Sequence, residues 1–154
     1  MLPDGVGGGS DKVLTEPDYR LMRSLLSAQQ NFTVSDPSFP DNPIVYASEG
    51  FLKLTGYTRE QVLGRNCRFL QGPKTDQSMV DVIRKGVAEG EDTSVCLLNY
   101  KADGTTFWNQ FFVAALRDSE GNVVNFVGVQ CEVNQLPVET MRERSKQMAV
   151  WDFR

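Results

Sequence analysis

From Asp18 to Gln30 the apolar residues Tyr19, Leu21, Met22, Leu25, Leu26 and Ala28 recur at the spacing of one helical face. That stripe needs a cover, either the domain itself or a partner. Asn31 to Asp36 reads as a strand stopped by the Asp36-Pro37 turn signal, and after the Pro40-Asp41-Asn42-Pro43 loop a short apolar strand runs from Ile44 to Ala47. Phe51, Leu52 and Leu54 predict a short helix ended by Gly56, and Arg59 to Leu63 another ended by Gly64. A longer helix, capped by Thr75 or Asp76 and stopped by Gly90, presents Met79, Val80, Ile83 and Val87. Three strand segments follow: Thr93 to Lys101, Thr105 to Leu116 and Asn122 to Val133. The first two are joined by an Asp103-Gly104 hairpin turn and the last two by Asp118-Ser119-Glu120-Gly121. Pro137 suits the first turn of a C-terminal helix with Val138, Met141 and Met148 on one side. The order predicts an α+β domain: a five-stranded antiparallel sheet, short helices on one face, and flanking N- and C-terminal helices. The organisation expected is a flexible leader over 1–17, rich in glycine at its start, then a flanking helix over 18–30, a core over 31–133 and a second flanking helix over 134–154.

Alternation in the last strands carries a tension. The odd positions of Asn122 to Val133 are mostly valine, which by a simple rule puts them in the core. Yet Thr105 to Leu116 is apolar on both faces, with Phe107, Phe111 and Val113 on one and Trp108, Phe112, Ala114 and Leu116 on the other. A sheet of this kind is covered on both sides.

Composition narrows the function. A chain of 154 residues with 40% hydrophobic and 23% charged side chains suits one soluble domain with a core. A net charge of −4 argues against gripping nucleic acid through phosphates. No apolar run is long enough to cross a membrane, and no signal pattern opens the chain, so an intracellular place is expected. Cys67, Cys96 and Cys131 form no CxxC pair and suit a reducing compartment. The chain contains no His, which removes the usual general base, the Cys-His pair and the commonest zinc ligand. No metal site and no hydrolytic activity are expected.

The richest chemistry lies in Gly64-Arg65-Asn66-Cys67-Arg68-Phe69-Leu70-Gln71. Gly64 can stop one helix and Asn66 can open the next, placing a thiol in a first turn where the helix dipole favours thiolate. An arginine beside it can hold an anion. A lone cysteine is more often a small buried hydrophobe than a nucleophile. The octapeptide, however, resembles the signature of LOV domains, the flavin-binding blue-light sensors of the PAS superfamily. The resemblance runs from about Gln30 to Val133 and includes Asn31-Phe32, Asp41-Asn42-Pro43-Ile44, Leu54-Thr55-Gly56-Tyr57, Asn99-Tyr100, Phe107-Trp108-Asn109 and Gly128-Val129-Gln130.

The resemblance implies a PAS fold and a bound FMN, or FAD or riboflavin as in some members. Cys67 is then the photoactive residue, forming a reversible light-driven bond to the flavin C4a carbon. Arg68 and Arg84 are expected at the phosphate, Gln71 and Asn66 at the ribityl chain or ring, and Asn99 and Asn109 at the pyrimidine edge. Asn31, Thr33, Ser35, Asn42, Ile44, Phe51 and Leu70 line the remainder, with Phe111, Val113, Phe126, Gly128 and Gln130 on the inner sheet face. Primary amides inside an apolar wall make sense opposite a ring edge with alternating donors and acceptors. Gly128 would let the ring approach the backbone. Gln130 is the expected switch, since an amide can exchange its oxygen for its nitrogen when the flavin edge changes from acceptor to donor.

The same resemblance leaves Cys96, Leu98, Trp108, Phe112, Ala114, Leu116, Val127 and Val129 on the opposite face. Either the flanking helices or a second copy must cover that patch. A homodimer through this face and the flanking helices is therefore expected, with no direct nucleic-acid binding by this segment and no membrane contact. Within the family the wording resembles aureochromes, light-regulated transcription factors of stramenopile algae. That implies transcription regulation and a nuclear place for a longer protein, although no basic region or heptads are present here. The domain is not expected to be an enzyme, since it lacks G-x-G-x-x-G and a second substrate domain. A light-insensitive PAS interaction module is the alternative.

Overall fold

The computed structural model describes residues 2–7 and 13–133, so the expected helix over 134–154 lies outside the described residues. The elements are α1 (Glu16–Ser27), β1 (Asn31–Ser35), β2 (Ile44–Ala47), α2 (Glu49–Thr55), α3 (Arg59–Val62), a 3₁₀ turn (Cys67–Leu70), α4 (Gln77–Glu89), β3 (Thr93–Tyr100), β4 (Thr106–Arg117) and β5 (Val123–Val133). Local chemistry sets most of these ends. Ser48 Oγ accepts the Phe51 N–H at 3.2 Å to open α2, and Gly56 closes it at φ 79°. Thr58 and Gln61 form a capping box on α3. Asp76 accepts the Ser78 N–H at 2.9 Å to open α4. Helix α1 starts two residues ahead of the expected Asp18, because Pro17 is accommodated in a first turn whose N–H groups have no helical partner.

The five strands pair antiparallel in the order β2-β1-β5-β4-β3. The last strand therefore lies at the centre, with β1 and β4 on either side. One face packs under α1: Leu21, Met22 and Leu25 join Phe32, Val34, Phe112, Ala114, Leu116, Val127 and Val129 in a single cluster. The chain's own N-terminal helix thus covers much of the patch that sequence left to a helix or to a second copy. Cys96, Leu98, Trp108 and Cys131, toward the β3 edge, stay half-buried.

The described parts of the segment ahead of α1 pack on the domain. Val6 and Leu14 are buried in the α1 cluster, and Leu14 bridges Asp118. The fully buried Asn125 holds the segment down. It accepts from Gly7 N–H at 2.7 Å and donates to the carbonyls of Gly5 and Ser35 at 3.1 Å each. A glycine-rich stretch is held here because two apolar side chains complete a core and a buried amide needs partners.

On the other face Val80 of α4, with Met79, Ile83 and Val87, packs on Val95, Leu97, Phe111, Val113, Ala115 and Phe126. A third cluster of Ile44, Ala47, Phe51, Val62 and Leu70 seats the short helices beside β2. The simple alternation rule breaks at an irregularity between Leu116 and Arg117. Val123 packs on the α4 side and Val124 on the α1 side, so the two residues exchange faces relative to the rest of β5.

Candidate functional site

Between α4, the Cys67 turn and the inner sheet face lies a cavity of about 360 Å³, within the range of small-molecule sites. Its wall includes Asn42, Asn66, Cys67, Arg68, Leu70, Gln71, Arg84, Asn99, Asn109, Phe111 and Gln130. An adjoining space of about 40 Å³ shares Asn42, Cys67 and Phe111 and adds Thr33, Ser35, Ile44, Val113, Phe126 and Gly128. Asn31 and Phe51 are not among the residues that line either space. The Asn31 side chain packs over Gly50, where a Cβ would collide with its Oδ1, and Phe51 is fully buried beneath Leu70 and Val62. Conversely, Asp41, Val80, Ile83, Val87 and Leu97 line the cavity without having been expected there. The helical stripe of Val80, Ile83 and Val87 was the available signal, since a stripe that faces a sheet also faces whatever the sheet encloses.

The Cys67 turn is pinned from several sides. Ile44 N–H donates to Arg65 O at 2.8 Å and Gly64 N–H donates to Ile44 O at 2.9 Å, tying the approach to β2. Asn66 Oδ1 accepts the Arg68 N–H at 3.0 Å, and Asn66 Nδ2 donates to Asp41 O at 2.8 Å. The expected thiolate is not what this environment favours. Burial among protein atoms pushes the Cys67 thiol above its ordinary value of 9.0, outweighing its backbone hydrogen bond and the nearby Arg68. A four-residue 3₁₀ turn offers too little aligned dipole to reverse that. Cys67 therefore holds its proton on Sγ at neutral pH.

A pH dependence follows. The folded thiol titrates above the unfolded one, so its contribution to stability is complete below about pH 9 and is lost as pH rises toward the folded value. Thermal melts from about pH 7 to 10 should fall at the alkaline end, with a shallower fall in Cys67→Ala. Burial raises Cys96 as well, so part of the slope should remain. Identical slopes in the two proteins would refute the assignment.

The amides form a buried ladder. Asn109 Nδ2 donates to Asn99 Oδ1 at 2.8 Å, Asn109 Oδ1 accepts the Cys131 N–H at 3.1 Å, and Asn99 Nδ2 donates to Leu98 O at 3.3 Å. The Gln130 amide is satisfied when Nε2 faces the carbonyls of Asn31 at 3.0 Å and Gly128 at 3.2 Å. Asn42 Oδ1 is buried with no hydrogen-bond partner among the described residues. At the rim, Arg68 forms a two-pronged pair with Asp41, one prong at 2.9 Å, and Arg84 pairs with Asp81 at 3.0 Å. Above Gly128 lies Phe111, whose Cε1 would stand 2.8 Å from an added Cβ, so that glycine admits an aromatic ring of the protein itself.

A family model described as a PAS domain matches residues 31–135. The dark structure of the blue-light photoreceptor Aureochrome1 LOV is 58% identical, covers 90% of this chain and 99% of that chain, and superposes with a TM-score of 0.74. This chain is a LOV domain of the PAS superfamily. The LOV domain is also 45% identical over 162 residues to Phototropin-2 of Oryza sativa subsp. japonica, a match covering 95% of this chain. A structure of the light-state dimer of the fungal blue-light photoreceptor Vivid is 36% identical, covers 68% of this chain and 78% of that one, and has a TM-score of 0.65. The LOV domain spans only 12% to 18% of the length of the first three curated relatives it matches. Among the described residues, no helix is long and apolar enough to cross a membrane.

Proposed function

We propose that this LOV domain is a blue-light photoreceptor module that takes FMN in the cavity beneath α4, with Cys67 as its photoactive residue. The observation that carries the reading is a cysteine thiol set in the wall of a cavity that also presents three amides, Asn99, Asn109 and Gln130. The residues present fit a flavin. Asn42 leaves a buried carbonyl oxygen unpaired, Asn99 and Asn109 keep further donor and acceptor capacity, and the surrounding wall is apolar. When bound, the flavin supplies blue-light absorption and an electrophilic ring carbon within reach of a thiol's chemistry. Asn109 and Asn99 orient the ligand's polar edge, while Val80, Ile83 and Val87 exclude water from the face beneath α4. Two arginines at the rim favour the phosphorylated flavin over riboflavin. Gln130 stands on central β5 in the cavity wall, and rotation of its amide away from the carbonyls of Asn31 and Gly128 would link the ligand's state to the strand beneath α1.

The sensing core is assigned to 31–133, with 18–30 and 134–154 as signalling flanks. A second copy is proposed to meet the half-buried strip of Cys96, Leu98, Trp108 and Cys131 together with those flanks. The light-state dimer of Vivid supports that arm. The domain itself is a sensor and not a catalyst. In a longer protein its output is proposed to be transcription control in the nucleus, on the resemblance to aureochromes, and nuclear exclusion of the full-length protein would sink that arm.

One experiment tests the core reading. The purified protein should carry a visible flavin band that bleaches under blue light and returns in darkness, and its elution volume should change with light. Gln130→Leu should keep the bleaching and lose the elution change. A wild-type protein without flavin would leave a light-insensitive PAS interaction module.

A further inference from the structure

The loop at 36–43 is hydrogen-bonded to the Cys67 turn through Asp41. Its backbone stands at φ 69° and that of Asn42 at φ 47°, two successive non-glycine residues in the left-handed region. Such a pair persists only where surrounding contacts hold it. The contacts are Asn66 Nδ2 to the Asp41 carbonyl at 2.8 Å, and both Arg68 guanidinium nitrogens to the two Asp41 carboxylate oxygens, one of them at 2.9 Å. Asp41, Asn66 and Arg68 all line the large cavity, as does Asn42 next in sequence, whose buried Oδ1 has no partner among the described residues. A planar two-oxygen anion therefore holds the guanidinium in the way a phosphate monoester would.

We infer that Asp41 is a resident stand-in for the ligand's phosphate. It competes with a phosphate monoester for the Arg68 guanidinium, and so sets the selectivity between phosphorylated and unphosphorylated flavin. This inference rests on the flavin reading of the cavity. The exchange is physically easy. The Arg68 and Asp41 side chains are 59% and 56% exposed, and an ion pair so exposed is weak and screened by salt. A phosphate monoester carries close to two charges against one for the carboxylate. The Asn66 bond to the Asp41 backbone does not involve the carboxylate, so the loop keeps its place while the side chain turns away. The displaced carboxylate then stands near a like charge, which tempers affinity for FMN and leaves riboflavin unaffected. Arg84 has only Asp81, one turn away on its own helix, as a described ion-pair partner and can join without a comparable rearrangement.

The test is flavin exchange on the purified protein. Wild type and Asp41→Asn, which keeps the side-chain shape and tolerates the left-handed backbone, are incubated with equal excesses of FMN and riboflavin, and the retained flavins are then released and quantified. The FMN-to-riboflavin ratio should rise about three- to fivefold in Asp41→Asn, the scale of a weak exposed pair. The gain should shrink at about 1 M salt, where screening reaches about 3 Å. It should also vanish when Arg68→Gln is already present. Added inorganic phosphate should displace FMN and not riboflavin. An unchanged or lowered ratio, or a gain that survives Arg68→Gln, would overturn the inference while leaving the flavin reading intact. A wild-type protein that retains neither flavin would overturn both.

Discussion

Cys67→Ala should keep the flavin and lose the light reaction. The substitution removes Sγ and nothing that shapes the turn, because the cap is made by Asn66 on the Arg68 N–H and the approach is tied to β2 through Gly64 and Arg65. Stability should fall by no more than about 1 kcal/mol, as for a small truncation at a partly buried site. The amides and the rim arginines that orient a flavin are untouched, so the visible band should match that of wild type. Blue illumination should then leave that band unchanged, because no other cysteine is near. Cys96 lies on the opposite sheet face, and Cys131 contributes its backbone N–H to Asn109 without lining the cavity. Absorption spectra in darkness and after illumination decide it, and persistent reversible bleaching would remove Cys67 from the proposed role.

Asn109→Leu should be the most damaging single change in the cavity wall. Asn109 is 1% exposed and serves two partners at once, donating to Asn99 Oδ1 and accepting from Cys131 N–H. Leucine nearly preserves the volume and strands both. Each buried group left unpaired costs about 1–3 kcal/mol, so chemical denaturation should show a loss of about 2–6 kcal/mol. Flavin retention should fall about tenfold, the equivalent of one lost hydrogen bond of about 1.4 kcal/mol. A loss under about 1 kcal/mol with unchanged flavin retention would show that the ladder is incidental.

Much of this architecture was legible before any coordinates. Helix starts and stops depend on side chains within a few residues, so Gly56 and Gly90 could be read directly and the cap of α4 narrowed to Thr75 or Asp76, of which Asp76 makes it. The Asp103-Gly104 hairpin and the five antiparallel strands were legible for the same reason. The inner-face positions of β4 and β5 recur at a period of two, and the resemblance at Cys67 supplied the expectation that Asn99, Asn109 and Gln130 share that face.

What the tertiary structure alone decided are contacts between distant segments and the desolvation they cause. Residues 5–7 are held down because Asn125, 118 residues beyond Gly7, accepts its N–H. Val123 and Val124 exchange faces because of an irregularity in pairing with β4, which no pattern within β5 reveals. Asp41 joins the cavity wall through Arg68, 27 residues away. The thiol showed the same division most sharply. Its position in a turn was a local matter that argued for thiolate, whereas its protonation was set by burial, a property of everything folded around it.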